Sequence, residues 1–237
     1  MRASGSPIPK PLVPIQGVPL LERNLLRLFY SGFLNVMVAV PSHSPKVAAF
    51  VRTRGKLLAE AMGAQLRLFE ETDPLGNIGA AAELETDGQE LLIVFADNLT
   101  SLDLNALVRH HRDTDAALTA AVHLEPFRIP YGEVQIQDGV ICGYREKPEH
   151  RVLVSSGLFV LAPAARSYLP RGERTEVASL VNRLLAEGAK VSAFEHDAPW
   201  IDVNDSSGVE RAEHLVAKHS DEFEFRAMPS TDRELRS

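Results

Sequence analysis

The sequence has one cysteine, one tryptophan and no long apolar run. Cys142 has no partner within the chain, which excludes an intrachain disulfide and fits the usage of a reducing cytosol. Set in an apolar stretch, it reads as a strand residue rather than a nucleophile. No segment reaches the ~18 apolar residues of a membrane-spanning helix, and Met1-Arg2-Ala3-Ser4-Gly5-Ser6-Pro7 lacks the apolar core of a signal peptide. A soluble, cytoplasmic protein is expected. Positive charge is also short: 25 Lys and Arg stand against 32 Asp and Glu, a net charge of -7 that attracts neither DNA, RNA nor an anionic membrane. Phosphate binding must therefore come from a local cluster of donors. The eight histidines include no H-x-x-E-H pair, so a histidine-built metal centre is not expected.

What is present is enough apolar material, 45% of 237 residues, for one sizeable domain. Helical spacing from Pro19 to Phe29, ending near Gly32, is followed by Val36-Met37-Val38-Ala39-Val40. That continuous apolar run suits a strand buried on both faces of a parallel sheet. The alternation continues with a helix over Lys46 to Met62, a strand at Gln65 to Phe69 and a helix near Gly79 to Glu85. A strand at Leu91 to Phe95, a helix at Asn105 to Arg112 and a strand at Ala116 to His123 follow. This rhythm predicts an α/β fold, an open, mostly parallel sheet flanked by helices.

From Tyr131 the pattern turns to short alternating runs, Gly132 to Gln137 and Val140 to Glu146, joined at Asp138-Gly139, a pair that favours a two-residue hairpin turn. A small β-rich subregion is expected there. Val154 to Leu161 and Val191 to His196 read as strands, Val177 to Glu187 and Ser206 to Ala217 as helices. Residues 1–217 form a single domain on this basis, and residues 218–237 a polar, loosely held tail.

Four segments carry chemistry-bearing residues. Lys10 sits between Pro9 and Pro11, which stiffen the backbone and aim its ammonium, a disposition suited to a phosphate as well as to a solvated lysine. Asp97 follows Leu91 to Phe95 and so lies at a carboxyl strand end, where ligands gather in open α/β sheets; it can hold Mg²⁺ or cap a loop. Asp202, in Trp200-Ile201-Asp202-Val203-Asn204, can share a metal with Asp97 or serve a turn. In Glu146-Lys147-Pro148 the carboxylate can accept sugar hydroxyls and the lysine neutralise a monoester phosphate, or the two can form an exposed ion pair.

In chain order these segments resemble the sugar-phosphate nucleotidyltransferases, which carry P-K-P-L-V-P, L-G-T-A-G, G-D, Y-G, E-K-P, N-x-G-I-Y and W-I-D. The matching stretches are Pro9 to Pro14, Leu75 to Gly79, Ala96-Asp97-Asn98, Tyr131-Gly132, Glu146-Lys147-Pro148, Ser155 to Phe159 and Trp200-Ile201-Asp202. The resemblance implies attack by a sugar 1-phosphate on the α-phosphorus of a nucleoside triphosphate, giving an NDP-sugar and pyrophosphate. It also implies that Asp97 and Asp202 hold Mg²⁺, that Lys10 contacts the nucleotide phosphates, and that Pro74, Gly76 and Gly79 lie beside the base. Lys147 would take the sugar phosphate, Glu146 the sugar hydroxyls, and Gly132 and Gly157 would let backbone approach the sugar. Gly79 stands where thymidylyltransferases place a glutamine, and the mannose-1-phosphate guanylyltransferase branch is closest in look, pointing to GTP and mannose 1-phosphate. Homo-oligomerisation is left open.

Family members begin with an apolar strand and a G-x-G-x-R-[LM] loop for the triphosphate; here both are missing, and residues 1–7 read as the end of that loop. Either Met1 is an internal start or the protein is shortened. Weak activity or none is expected of the chain. Alanine at 96, asparagine at 77 and serine at 155 depart from the usual glycine, threonine and asparagine. Two rivals stay open: a regulatory relative that binds a nucleotide or nucleotide sugar without turnover, and a glycosyltransferase of similar fold. Against the latter, Asp97-Asn98-Leu99 lacks the second aspartate of a D-x-D pair.

Overall fold

The computed structural model describes residues 8–224. Two short strands, β1 (Pro14–Ile15) and β2 (Val18–Pro19), lead into helix α1 (Leu20–Tyr30). Its Leu21, Leu25 and Phe29 fall at helical spacing and are buried together, and Gly32, at φ 86°, turns the chain back. Strand β3 (Asn35–Pro41) then pairs in parallel with β4 (Gln65–Glu71). The connection is one continuous helical crossover: α2 (Pro45–Phe50), a π-helical turn at Val51–Gly55 and α3 (Lys56–Ala61).

A second sheet holds four strands in the order β11 (Val191–Glu195), β7 (Leu118–Arg128), β10 (Glu149–Leu161) and β5 (Leu91–Val94). Strand β10 runs against β5 and β7, and β11 runs with β7, so three of the four point the same way. Leu158, Phe159, Val160 and Leu161 are at most 2% exposed because both faces of β10 are covered. Leu91 and Ile93 of β5 face α5 (Val177–Ala186), whereas Leu92 and Val94 face α4 (Leu104–Thr114). The ladder β6 (Asn98–Thr100) with β12 (Trp200–Asp202) carries the chain into α6 (Ser206–Lys218).

The β-rich subregion is the hairpin β8 (Glu133–Gln137) and β9 (Val140–Arg145) with the outer halves of β7 and β10. Its turn has Asp138 at φ 50° and Gly139 at φ 80°, the left-handed pair that a two-residue hairpin requires.

Three expectations need correction. The segment near Gly79 to Glu85 is a 3₁₀ helix over Gly79–Glu83, held by packing of Ala81 and Ala82 rather than by a helix-long apolar stripe. Strand β3 is not buried throughout. Val36 and Val40 are covered, but Met37 and Val38 are only partly so and Ala39 is exposed, because its second edge borders a slot. The polar segment after Lys218 is docked as far as Glu224: a short α7 (Ser220–Phe223) buries Phe223 to 3% exposure against Ile15, Leu20 and Val203, and Ser101 bonds Glu222. Residues 225–237, the rest of the expected tail, and residues 1–7, the expected loop remnant, lie outside the described residues.

Asp103 caps α4, its carboxylate accepting from the amides of Asn105 and Ala106 at 2.9 and 3.0 Å. The Ala106 bond leads in holding its pKa below the usual carboxylate value. Asp103→Ala is expected to remove ~1 kcal/mol, a drop of about 2–4 °C in melting temperature at neutral pH. A depressed carboxylate contributes its stability above its unfolded pKa and loses it as pH falls. Thermal scans of both proteins should therefore converge at strongly acidic pH.

Candidate active site

The carboxyl end of β5 and the β6–β12 ladder bring the distant aspartates together. Asp202 pairs with Asn98 in register, and the Val203 amide donates to the Asp97 carbonyl at 2.9 Å. Burial pushes the pKa of Asp202 up, and the Asp97 charge adds to it; Lys10, Asn204 and Arg211 oppose. Lys10 Nζ donates to Asn204 Oδ1 at 2.8 Å, and Asn204 in turn donates to the Asp202 carboxylate. The other oxygen, Asp202 Oδ1, is buried and has no hydrogen-bond partner among the described residues.

That orphaned oxygen beside a second carboxylate fits a hard cation. No group of three or more His, Cys, Asp and Glu residues converges into a cage among the described residues, so two carboxylates are what the chain offers. Mg²⁺ is commonly held this way, the remaining positions going to phosphate oxygens and water.

The scaffold behind the pair is a set of side chains that the motifs did not flag. Asn24 of α1, 8% exposed, donates to the carbonyls of Ala96 and Asn98 and pins both sides of Asp97. The Ser156 carbonyl accepts from Asn98 Nδ2 at 2.9 Å and from Trp200 Nε1 at 2.8 Å. The Ser156 hydroxyl, fully buried, lies 2.8 Å from both His123 Nδ1 and His196 Nε2. One hydroxyl proton serves one acceptor, so one imidazole donates to Oγ while the other accepts. His123 packs against Trp200 with centroids 4.4 Å apart and the rings tilted by 43°, and burial, then the neighbouring His123, keeps the pKa of His196 below the usual value. His123 sits among apolar strand residues; a polar side chain facing a sheet interior was the only available signal.

Gly157 follows Ser156 at φ 72°, within a register shift of β10, and a Cβ there would collide with the Asn98 amide. Only glycine fits both demands. Lys10, Gly76, Asn77 and Asp97 border one cavity, which Pro74 and Gly79 do not line. A Cβ on Gly76 would stand 2.5 Å from the Thr175 carbonyl and one on Gly79 2.8 Å from that of Glu173, so this loop is glycine-rich to pack on residues 173–175. Asn77 locks the contact by accepting from the Val177 amide at 2.7 Å.

A second cluster forms around Tyr144. Its hydroxyl donates to Glu146 at 3.1 Å and occupies the place a Cβ on Gly132 would need. Lys147 is exposed in the turn between β9 and β10, at φ 45°. No hydrogen bond or ion pair joins Glu146 or Lys147 to the Asp97–Asp202 cluster among the described residues.

The nucleotidyl transferase family profile matches residues 6–218. A UTP–glucose-1-phosphate uridylyltransferase of a Synechocystis species is 25% identical over 223 positions, covering 83% of this chain and 55% of that protein. The mannose-1-phosphate guanylyltransferase catalytic subunit beta of Drosophila pseudoobscura is 27% identical over 204 positions, covering 82% and 53%. The chain thus spans about half the length of these curated relatives. The structure of a UDP-glucose pyrophosphorylase from Acinetobacter superposes with a TM-score of 0.65 at 17% identity, covering 92% of this chain and 88% of that one. HddC of Yersinia pseudotuberculosis, complexed with GMP-PN, gives 0.65 at 18%, covering 90% and 92%.

Two substitutions test the geometry. A carboxyl whose pKa the fold raises costs stability above its unfolded value, so Asp202→Asn should raise the melting temperature at pH 7. A melting temperature unchanged or lowered would count against a strained carboxylate. Lys147→Gly relieves a left-handed residue worth ~1 kcal/mol and should gain about 2–4 °C in the same scan.

Proposed function

The chain belongs to the nucleotidyl transferase family, and from that premise we propose that it is built to join a sugar 1-phosphate to a nucleoside triphosphate, releasing pyrophosphate. The observation that carries this reading is the Lys10–Asn204–Asp202 chain set against Asp97 at the carboxyl end of β5. Asp97 and Asp202 would hold Mg²⁺, which when bound supplies charge neutralisation for the triphosphate.

In this reaction a phosphate oxygen of the sugar phosphate attacks the α-phosphorus, and the bond from that phosphorus to the bridging oxygen breaks. Catalysis is then chiefly positioning and charge. Lys10, anchored by Asn204, presents its ammonium to the nucleotide phosphates, and Gly76 borders the base. The sugar's hydroxyls would meet Glu146 and its phosphate Lys147, both exposed at the end of β9. GTP and mannose 1-phosphate are the favoured pair, supported by several guanylyltransferases at 26–27% identity over four-fifths of the chain.

Residues 8–224 supply carboxylates and a lysine but no glycine-rich loop facing the α-phosphate. Weak turnover or none is therefore expected of the 237-residue chain. Pyrophosphate release should be measured with GTP, UTP, CTP and dTTP against mannose 1-phosphate and glucose 1-phosphate, beside calorimetric titration of each ligand. Binding with little release is the expected result, strongest for the GTP and mannose 1-phosphate pair. A rate of ~10 s⁻¹, ordinary for an enzyme, would overturn the impairment, and absence of all binding would overturn the assignment.

A further inference from the structure

The buried polar atoms behind the aspartates admit one hydrogen-bond order. His123 Nε2 lies 3.3 Å from the Glu125 carboxylate, which can only accept, so that nitrogen carries the proton. Neutral His123 is then bare at Nδ1 and accepts the Ser156 hydroxyl proton across 2.8 Å. The Ser156 oxygen is left to accept from His196 Nε2, also at 2.8 Å. His196 carries its one proton there, and its Nδ1 ends as a lone pair. The surroundings agree: His196 Nδ1 is buried and meets no hydrogen-bond partner among the described residues, a place that tolerates a bare acceptor better than an orphaned N–H. The reverse order fails at both ends. It turns a lone pair of His123 toward Glu125 and buries an unpartnered proton on His196.

Three strands contribute to this chain of bonds. His123 belongs to β7 and Ser156 to β10, and His196 directly follows β11, its amide donating to the Val122 carbonyl at 3.0 Å. Bonded at both nitrogens, His123 is fixed in orientation, and its ring packs on Trp200, whose indole N–H is held by the Ser156 carbonyl. Trp200 and Asp202 are alternate residues of the three-residue strand β12 and so share a face.

We infer that His196 is a positioning residue of the Asp97–Asp202 site: as the neutral Nε2–H tautomer it heads a one-way chain, His196 to Ser156 to His123 to Glu125, that holds Trp200 and through it Asp202. The role rests on the reading of the two aspartates as a cation site. An added proton breaks the order. It goes either to His196 Nδ1, which meets no acceptor, or to His123 Nδ1, where it strands the proton of Ser156. The charged and titratable groups around His196 are His123, the adjacent Asp197, and Glu195 and Arg151, which line one cavity with it; Glu125 lies beyond His123. Burial, then His123, holds the His196 pKa down against Asp197 and the Ala198 backbone, so the neutral form prevails at neutral pH.

Long-range proton–nitrogen correlation of the imidazoles in the full chain at neutral pH reads the tautomers, with signals assigned by their loss in single variants. Both His123 and His196 are expected as Nε2–H, and the Nδ1–H form of either overturns the order. The chain's one tryptophan gives one indole N–H resonance, a direct report on the bond to Ser156. His196→Phe fills the space without a donor, whereas His196→Gln donates an N–H without titrating. The Phe variant is expected to shift the indole resonance and to bind Mn²⁺ about tenfold more weakly, the low end of what a lost supporting bond costs a metal site; the Gln variant is expected to restore both. On acidification the wild-type indole resonance should move in a step that the Gln variant lacks. A Phe variant matching the wild type, or a Gln variant behaving like Phe, overturns the proposal. A wild type that binds no Mn²⁺ overturns the aspartate reading and the role of His196 in it, whereas a wrong tautomer in a chain that does bind Mn²⁺ overturns the proposal alone.

Discussion

Two hydrogen bonds to one carbonyl oxygen hold the site together. The Ser156 carbonyl accepts from Asn98 Nδ2 and from Trp200 Nε1; Asn98 directly follows Asp97, and Trp200 shares β12 with Asp202. The bonds tie a three-residue ladder, too short to stand alone, to the buried strand β10. The oxygen is free to accept both because β10 shifts register here and Gly157 adopts a left-handed backbone. Below it, His123 and His196 fix the Ser156 hydroxyl. The neighbourhood of Asp97 and Asp202 is thus fixed by backbone and side-chain bonds within the protein.

Much of this was legible in the sequence. The strands around Val38, Ile93 and Val160, the helices after Asp103 and Glu176, and the Asp138-Gly139 turn follow from periodicity and turn chemistry, which act over a few residues. The meeting of Asp97 with Asp202 came from ordered motifs and a family resemblance; spacing alone could not have paired residues 105 positions apart. Three things were not legible. Asn24 reads as one polar position of a helix, and its two carbonyl partners lie 72 and 74 residues away. Ser156 looks interchangeable with Ser155 until strand direction decides which one faces the histidines. The loop at Gly76 and Gly79 suggested a ligand, while much of its glycine requirement comes from the backbone of residues 173–175.

The break between β3 and β5 explains why a strongly apolar strand such as Leu91–Val94 stays only partly covered while its partner, Leu158–Leu161, is closed off. Parallel strands need cover on both faces and bonds on both edges. The two half-sheets meet the first demand through α1, α4 and the 3₁₀ turn at Gly79–Glu83; among the described residues β3 and β5 each pair along one edge. The β3–β4 half packs on α1 and the crossover helix, and the β7–β10 half on α5.

The cluster formed by Ile15, Leu20, Val203, Val216 and Phe223 draws on both extremes of the described chain, and Lys10 finds Asn204 across 194 positions. During synthesis the early residues leave the ribosome long before their partners exist. The β7–β10 hairpin can form meanwhile from neighbouring segments, but Ile15 and Leu20 stay without cover until α6 emerges. The contact that sets the Lys10 ammonium accordingly waits for distant chain: a nascent chain stopped short of residue 204 can hold a sheet but cannot anchor Lys10.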